Sequence, residues 1–179
     1  MNHTSQGSAQ DAHDRIPVLD VGPFLAGEPG AAVQLAEQIK RTCEDTGFLV
    51  IANHGVPQRL IDQAFAAAGD FFAQDEDRKM ALRIGDQNIG YLPYGGQTMK
   101  TSTIEMANKP NYSESFYITV PDPDPAVQDV SEDLNKWPPA MPDFKATQVA
   151  YFQTMRALAR RILPAFALAL DLPEDYFAA

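Results

Sequence analysis

Histidine and cysteine are the residue types in this chain best suited to bind a transition metal, and the chain has few of them. Its 179 residues include three histidines, His3, His13 and His54, and one cysteine, Cys43. A catalytic site built from two histidines and one carboxylate needs all three ligands on one face of the metal. His3 and His13 lie in the polar N-terminal stretch, which leaves His54 without a second histidine ligand. The residue types therefore predict no metal site in this chain.

His54 is the histidine whose surroundings are most specific, because it follows an apolar run and lies in Asn53-His54-Gly55. One interpretation makes it a metal ligand or a general base. The other makes it a turn histidine that hydrogen-bonds the backbone after a buried strand. Asn and Gly adopt positive φ at little cost, which is typical of a turn. Because a lone histidine cannot complete a metal site, we favour the turn.

A segment without hydrophobic periodicity runs from residue 83 to residue 112 and is rich in glycine and polar residues. A loop of this length in a compact domain is usually functional or mobile. Arg83, Tyr91, Tyr94 and Asn111 could contact a substrate there, and ordinary surface packing is the alternative. Glu114 follows the segment and could pair with a basic residue. A solvent-exposed salt bridge is the simpler expectation for it.

The elements that position these residues are predicted from apolar runs and turn residues. Gly47 suits the left-handed conformation just past a helix end. The run from Phe48 to Ala52 is continuously apolar, so it predicts a strand buried on both faces. Pro57 suits the first turn of the next helix. Further short strands are expected over residues 16–20 and 114–120.

Helical spacing of apolar residues predicts the remaining elements. Leu35, Ile39 and Cys43 recur along residues 31–46, so we expect a helix with a buried, inert thiol. A second helix is expected over residues 58–73, and Asp75 could cap a short third one. Asp143 could cap the longest helix, which closes at residues 171–177.

Composition limits the class of protein. A hydrophobic fraction of 45% over 179 residues is enough for one domain with a real core. With 14 basic and 24 acidic residues the formal charge is −10, which disfavours a nucleic-acid partner. No apolar run approaches the roughly 20 residues that span a bilayer. Residues 1–14 are polar, which predicts a disordered tail, and we expect a cytoplasmic protein.

Five segments occur in a characteristic order between Arg15 and Ala179. The first segment comprises the strings RIPVLDVGPFLAG, GFLVIANHGVP and LIDQAFAAAGDFFAQDEDRKMAL. The other four are Gly90-Tyr91, NKPNYSESFYI, WPPAMPDF and LALDLPEDYF. Together they resemble the N-terminal region of the isopenicillin N synthase-like, iron(II)- and 2-oxoglutarate-dependent oxygenases. The resemblance implies an α+β fold, with helices packed on a few short strands. That fold is the N-terminal part of a double-stranded β-helix oxygenase.

The resemblance also implies where the cofactors bind. In the family a His-x-Asp pair and a distant His hold iron, and an Arg-x-Ser binds 2-oxoglutarate. This sequence contains neither motif. Fe(II) and 2-oxoglutarate are therefore expected for the complete enzyme, and this chain alone is expected to bind no cofactor and to have no catalytic residues. The family's Asn-His-Gly is outside the iron triad, so Gly47, Phe48, Asn53, His54 and Gly55 are expected to form a structural motif.

The domain organisation implied by the resemblance is a tail over residues 1–14 and one domain over residues 15–179, without the catalytic barrel. The complete enzyme would convert 2-oxoglutarate to succinate while it hydroxylates, desaturates or cyclises a substrate, or forms ethylene. In such enzymes the region of residues 83–112 lies over the active-site mouth and shapes the substrate pocket. We expect a truncated or split chain that is inactive alone. The alternative is a non-catalytic module that pairs with a separate barrel-bearing chain or self-associates through apolar faces of helices within residues 31–73 and 143–170.

Overall fold

The structure is a computed structural model that describes residues 16–96, 110–120 and 134–178. The predicted tail, with His3 and His13, lies outside the described residues. In chain order the elements are β1 (Val18–Asp20), α1 (Gly22–Leu25), α2 (Ala31–Asp45), β2 (Val50–Ala52), α3 (Gln58–Phe72), α4 (Glu76–Met80), β3 (Gly90–Leu92), β4 (Ser115–Tyr117) and α5 (Phe144–Ala169). No helix in these ranges combines the length and the apolar character needed to cross a membrane.

The described residues form two compact units, and the first runs to Val56 and resumes at Thr154. Its strands β1 and β2 are parallel, with Val18 opposite Val50 and Leu19 opposite Ile51. One face of this sheet packs into a core with α2 and the end of α5. The buried members of that core are Leu19, Val21, Leu35, Ala36, Ile39, Ala165 and Ala169.

The second unit is Pro57–Gln153. Its strands β3 and β4 are antiparallel, with Tyr91 opposite Phe116. Phe71 is fully buried at its centre, and its ring centroid lies 4.5 Å from that of Phe116 and 5.6 Å from that of Phe144. Such close, tilted aromatic pairs add to the free energy gained from burial. An aromatic cluster therefore holds the β3–β4 hairpin against the helices.

Helices α2, α3, α4 and α5 agree with the sequence prediction, whereas α1 was not predicted and one side chain of α2 lies in an unexpected environment. Cys43 was expected on the buried face of α2 and is exposed, whereas Thr42 is buried. Seven residues advance a helix by nearly two whole turns, so Thr42 stays in line with Leu35. Position 43 is rotated about 80° from that line and leaves the covered face.

The strand after Gly47 is shorter and more exposed than predicted. It begins at Val50, and Phe48 and Val50 are 69% and 48% exposed. The expectation of a strand buried on both faces was wrong, because the sheet has two strands and only one of its faces packs against described residues. The loop predicted over residues 83–112 also contains a strand, β3, and residues 97–109 of that loop lie outside the described ranges.

Candidate functional site

The segment around His54 contains three residues with positive φ, namely Gly47, Asn53 and Gly55. Gly47 ends α2 with a φ of 72°, and its N–H donates to the carbonyl of Thr42 at 3.1 Å. After β2, Asn53 and Gly55 have φ values of 56° and 74°. Between them, His54 Nδ1 accepts a hydrogen bond from the Val56 N–H at 3.1 Å. His54 therefore has the local hydrogen bond expected of a turn histidine.

The described residues do not offer a site for iron. The lone pair of His54 Nδ1 accepts the hydrogen bond from the Val56 N–H, so this nitrogen cannot bind a metal at the same time. Within residues 16–96, 110–120 and 134–178, no three His, Cys, Asp or Glu side chains are grouped so that they could hold a metal ion. A site of two histidines and one carboxylate does not fit this donor set.

The second unit contains a buried polar cluster formed by Lys79, Tyr91 and Glu114. Lys79 Nζ lies 2.8 Å from Glu114 Oε2, and the Tyr91 hydroxyl donates to the same oxygen at 2.7 Å. The Lys79 and Glu114 side chains are only 7% and 13% exposed. Lys79 also lies over the Tyr91 ring, 5.3 Å from its centroid. The expectation of a solvated salt bridge at Glu114 was wrong, because this residue, which directly precedes β4, has a buried side chain.

The electrostatics of this cluster favour the ion pair. Burial alone would raise the pKa of Glu114, but hydrogen bonds from Lys79 and Tyr91 outweigh it and hold that pKa below its usual value. The hydrogen bond to Glu114 raises the pKa of Lys79 against the opposing effect of burial. Burial, followed by the bond to Glu114, raises the pKa of Tyr91 to about 12. At neutral pH the cluster is therefore a cation, an anion and a neutral phenol.

The four residues proposed to shape a substrate pocket all lie near the β3–β4 hairpin. Tyr91 is fully buried and forms a backbone bridge with Arg83. Tyr94 is 62% exposed, and its hydrogen bond to Glu114 contributes to lowering the pKa of that carboxyl. Asn111 is exposed, and its backbone carbonyl accepts a hydrogen bond from the Gly95 N–H at 3.0 Å. Arg83, Tyr94 and Asn111 are thus accessible, whereas Tyr91 can act only through its neighbours.

Lys79 is the residue of this cluster that sequence reasoning missed. It lies near the end of the short helix α4, which buries its side chain. Its partner Glu114 lies 35 residues further along the chain. Local patterns in a sequence carry no information about a pairing at that separation.

Comparison with known proteins connects these features to a family. Residues 16–140 match the family described as non-haem dioxygenase in morphine synthesis, N-terminal. A 2-oxoglutarate-Fe(II) type oxidoreductase of Emericella nidulans, hxnY, is 30% identical over 168 residues, which cover 90% of this chain and 47% of that protein. Azadirone synthase of Melia azedarach is 31% identical over 147 residues, which cover 79% of this chain and 43% of that enzyme.

Solved structures show the same fold. A full-length Neurospora crassa protein, crystallised with alpha-KG and thymine, is similar with a TM-score of 0.71 at 21% identity, covering 90% of this chain and 50% of that one. The chain spans about half the length of the curated relatives and solved proteins it matches. The match over residues 16–140 shows that the chain belongs to the N-terminal region family of the non-haem, 2-oxoglutarate- and iron(II)-dependent dioxygenases.

Proposed function

We propose that this chain is the N-terminal portion of an iron(II)- and 2-oxoglutarate-dependent oxygenase and is inactive alone. The proposal rests on the length of the match together with the absence of two sequence motifs. The chain aligns with about half of its relatives' length, and its sequence contains neither His-x-Asp nor Arg-x-Ser. The iron ligands and the 2-oxoglutarate site then belong to a double-stranded β-helix that is not within these 179 residues. When bound there, iron and 2-oxoglutarate supply the oxidation of a substrate, with succinate as co-product.

The role proposed for this chain's own residues is to shape the substrate pocket. The accessible side chains of Arg83, Tyr94 and Asn111 would face the substrate. Tyr91 would act as a positioning residue, because it is buried and shares Glu114 with Lys79. The chemistry of these groups suits a ligand with hydrogen-bonding atoms and does not define one substrate class.

The test is an anaerobic titration of the purified chain with Fe(II) and 2-oxoglutarate, followed by measurement of succinate after oxygen is added. Full-length hxnY of Emericella nidulans is the positive control. We expect that control to give a charge-transfer absorption band and succinate, and this chain to give neither. A stoichiometric band or succinate formation by the chain itself, abolished by His54→Ala, would contradict the proposal.

A second candidate is a non-catalytic module that binds a separate barrel-bearing chain or another copy of itself. The observation that favours it is exposed apolar surface: Val18 in β1 is 63% exposed, and Phe48, which precedes β2, is 69% exposed. Contiguous exposed apolar surface of several hundred Å² usually marks an interaction site. The two candidates differ in one observable, since only the first requires that supplying the missing half restores 2-oxoglutarate turnover.

A further inference from the structure

A cavity lies beside the aromatic cluster of the second unit. It has a volume of about 170 Å³ and is lined by Ala68, Phe71, Phe72, Phe116, Ile118, Phe144 and Gln148. All of these residues belong to the stretch Pro57–Gln153 that forms this unit. Gln148 carries the only polar side chain among the described residues that line the cavity. The cavity therefore combines aromatic walls with a single hydrogen-bonding side chain.

Contacts between the aromatic rings hold the walls of this cavity in place. The Phe71 ring centroid lies 4.5 Å from that of Phe116 and 5.6 Å from that of Phe144, and Phe116 meets Phe144 edge-on at 5.6 Å. Phe71 and Phe144 are also buried. Buried rings packed at these separations have little room to rotate into a neighbouring space. We therefore expect the cavity to persist without a ligand.

The amide of Gln148 is fixed in a way that leaves its oxygen available. Gln148 is half-buried, and its Nε2 atom donates a hydrogen bond to the carbonyl of Ala64 in α3 at 3.0 Å. The side-chain oxygen of a glutamine is an acceptor with two lone pairs. Among the described residues, none donates a hydrogen bond to Gln148 Oε1. An acceptor is thus available at the wall of an otherwise apolar cavity.

The size and the charge of the surroundings restrict what can bind. An apolar cavity of about 150 Å³ takes one benzene molecule, so this cavity fits a single aromatic ring with one small substituent. Sites for drug-sized ligands have volumes of about 300 Å³ or more, which excludes larger ring systems. No described residue that lines the cavity is charged, and the formal charge of −10 repels anions. These features select an uncharged molecule with one ring.

We propose that this cavity binds a small, uncharged aromatic molecule with one hydrogen-bond donor, of which phenol is the simplest example. The ring would lie against Phe71, Phe116 and Phe144, whose tilted arrangement offers both faces and edges for contact. The hydroxyl would donate its hydrogen bond to Gln148 Oε1. A buried hydroxyl without that partner would lose its hydration and gain nothing in return, so the amide oxygen favours a phenol. Binding at this cavity requires neither iron nor 2-oxoglutarate.

A titration of the 179-residue chain with phenol, followed by nuclear magnetic resonance, tests the site. The Ala68 methyl and the Gln148 side-chain amide report on the cavity, and the Ala66 methyl, at an exposed position of α3, is the internal reference. We expect saturable shifts at Ala68 and Gln148, with a Kd on the order of 1 mM, and no shift at Ala66. Benzoate, which adds a negative charge, should cause no saturable shift. Absence of saturation by phenol, saturation that leaves Ala68 and Gln148 unchanged, or equal binding of benzoate would overturn the proposal.

A cavity-filling variant tests whether the volume is needed. Ala68→Leu places a larger side chain in the cavity, and Ala66→Leu makes the same substitution at the exposed position. Alanine and leucine have similar helix propensities, so a difference between the variants reports on the cavity. We expect Ala68→Leu to weaken phenol binding at least about tenfold and Ala66→Leu to leave it unchanged. Circular dichroism checks that both variants fold, and equal Kd values for the two would contradict the assigned site.

A comparison of phenol with toluene, which has the same shape but no donor, tests the hydrogen bond to Gln148. Gln148→Met keeps the length of the side chain and removes the acceptor oxygen. The ratio of the phenol Kd to the toluene Kd should rise about fivefold in this variant, because one neutral hydrogen bond is lost. An unchanged ratio, or equal loss of both ligands, would contradict the assigned hydrogen bond. Since Gln148→Met does not fill the cavity, this measurement decides the proposal even if Ala68→Leu does not fold.

Discussion

At the scale of single residues, burial distinguishes two ion pairs that have nearly the same distance. Lys79–Glu114 joins atoms 2.8 Å apart with both side chains buried. Lys40–Asp171 joins atoms 2.7 Å apart, but its side chains are 44% and 82% exposed. Solvent screens the exposed pair, whereas a buried charge that loses its partner cannot be rehydrated. The two pairs should therefore respond very differently to neutralisation.

Glu114→Gln should lower the free energy of unfolding by about 2 kcal/mol, because it leaves the buried Lys79 ammonium with only the more exposed Glu76 carboxylate, 3.2 Å away. Lys40→Met, which neutralises one partner of the exposed pair, is the control and should change stability little. Urea denaturation of the two variants measures both effects. Equal stabilities for the two variants would show that the buried cluster does not contribute as its geometry indicates.

Tyr91 should ionise later than an ordinary tyrosine. Its pKa is raised from 10.0 to about 12, so the unfolded chain releases this proton at lower pH than the folded chain does. The stabilisation is thus complete below pH 10 and is lost as the pH rises towards 12. An ultraviolet titration of tyrosinate should contain a step at about pH 12 that Tyr91→Phe removes. Persistence of that step in the variant would contradict the assignment.

At the scale of elements, the β3–β4 hairpin depends on one backbone conformation. Gly90 begins β3 with a φ of 115°, and a Cβ there would collide with the carbonyl oxygen of Leu82. The Tyr91 N–H donates to that same carbonyl at 2.8 Å, so the close approach attaches β3 to the segment that follows α4. Three residues give only a weak strand signal in the sequence, and this backbone contact with Leu82 fixes the start of β3.

Replacing glycine by alanine at two positions of the second unit should change the free energy of unfolding in opposite directions. Gly90→Ala should reduce the free energy of unfolding by about 2 kcal/mol, because it adds both a strained φ and a clash. Gly69→Ala in α3 meets nothing within 4 Å and should raise it by roughly 0.5–1 kcal/mol through helix propensity. Chemical denaturation checks both variants, and destabilisation by Gly69→Ala would show that the helix is constrained in a way its surroundings do not explain.

At the scale of the whole molecule, net charge and exposed apolar surface act against each other. The formal charge of −10 keeps copies of the chain apart near neutral pH, and the isoelectric point lies near 4.6. The outer face of the β1–β2 sheet, where Val18 and Val50 are exposed register partners, remains apolar at every pH. Acidification towards the isoelectric point should therefore remove the repulsion while the attraction persists.

Turbidity should rise as the chain is acidified towards pH 4.6, and Val50→Thr should reduce it. This substitution keeps the shape and charge of the side chain but interrupts the apolar outer face at its centre. Val33→Thr makes the same change at a residue of α2 that is 57% exposed, and it should have a smaller effect. Light scattering across the acid range compares them, and equal turbidity for the two variants would contradict the role assigned to the sheet face.

The sequence by itself determined the helices α2 to α5, the turn after β2 and the family, but not the short helix α1. Helices follow from periodic spacing within a few turns, and turns follow from residues that accept positive φ, so both are local properties of the chain. The order of segments from Arg15 onward carried the resemblance that the match over residues 16–140 confirms.

Only the tertiary structure decided which apolar faces are covered and which charges meet. Periodicity shows that Phe48 and Val50 share one face of a strand, but not that this face lies open. It shows Lys79 on a helix and Glu114 near a strand, but not that the two side chains meet beside Tyr91. Burial and pairing depend on contacts between segments distant in sequence, and packing of the whole chain alone sets those contacts.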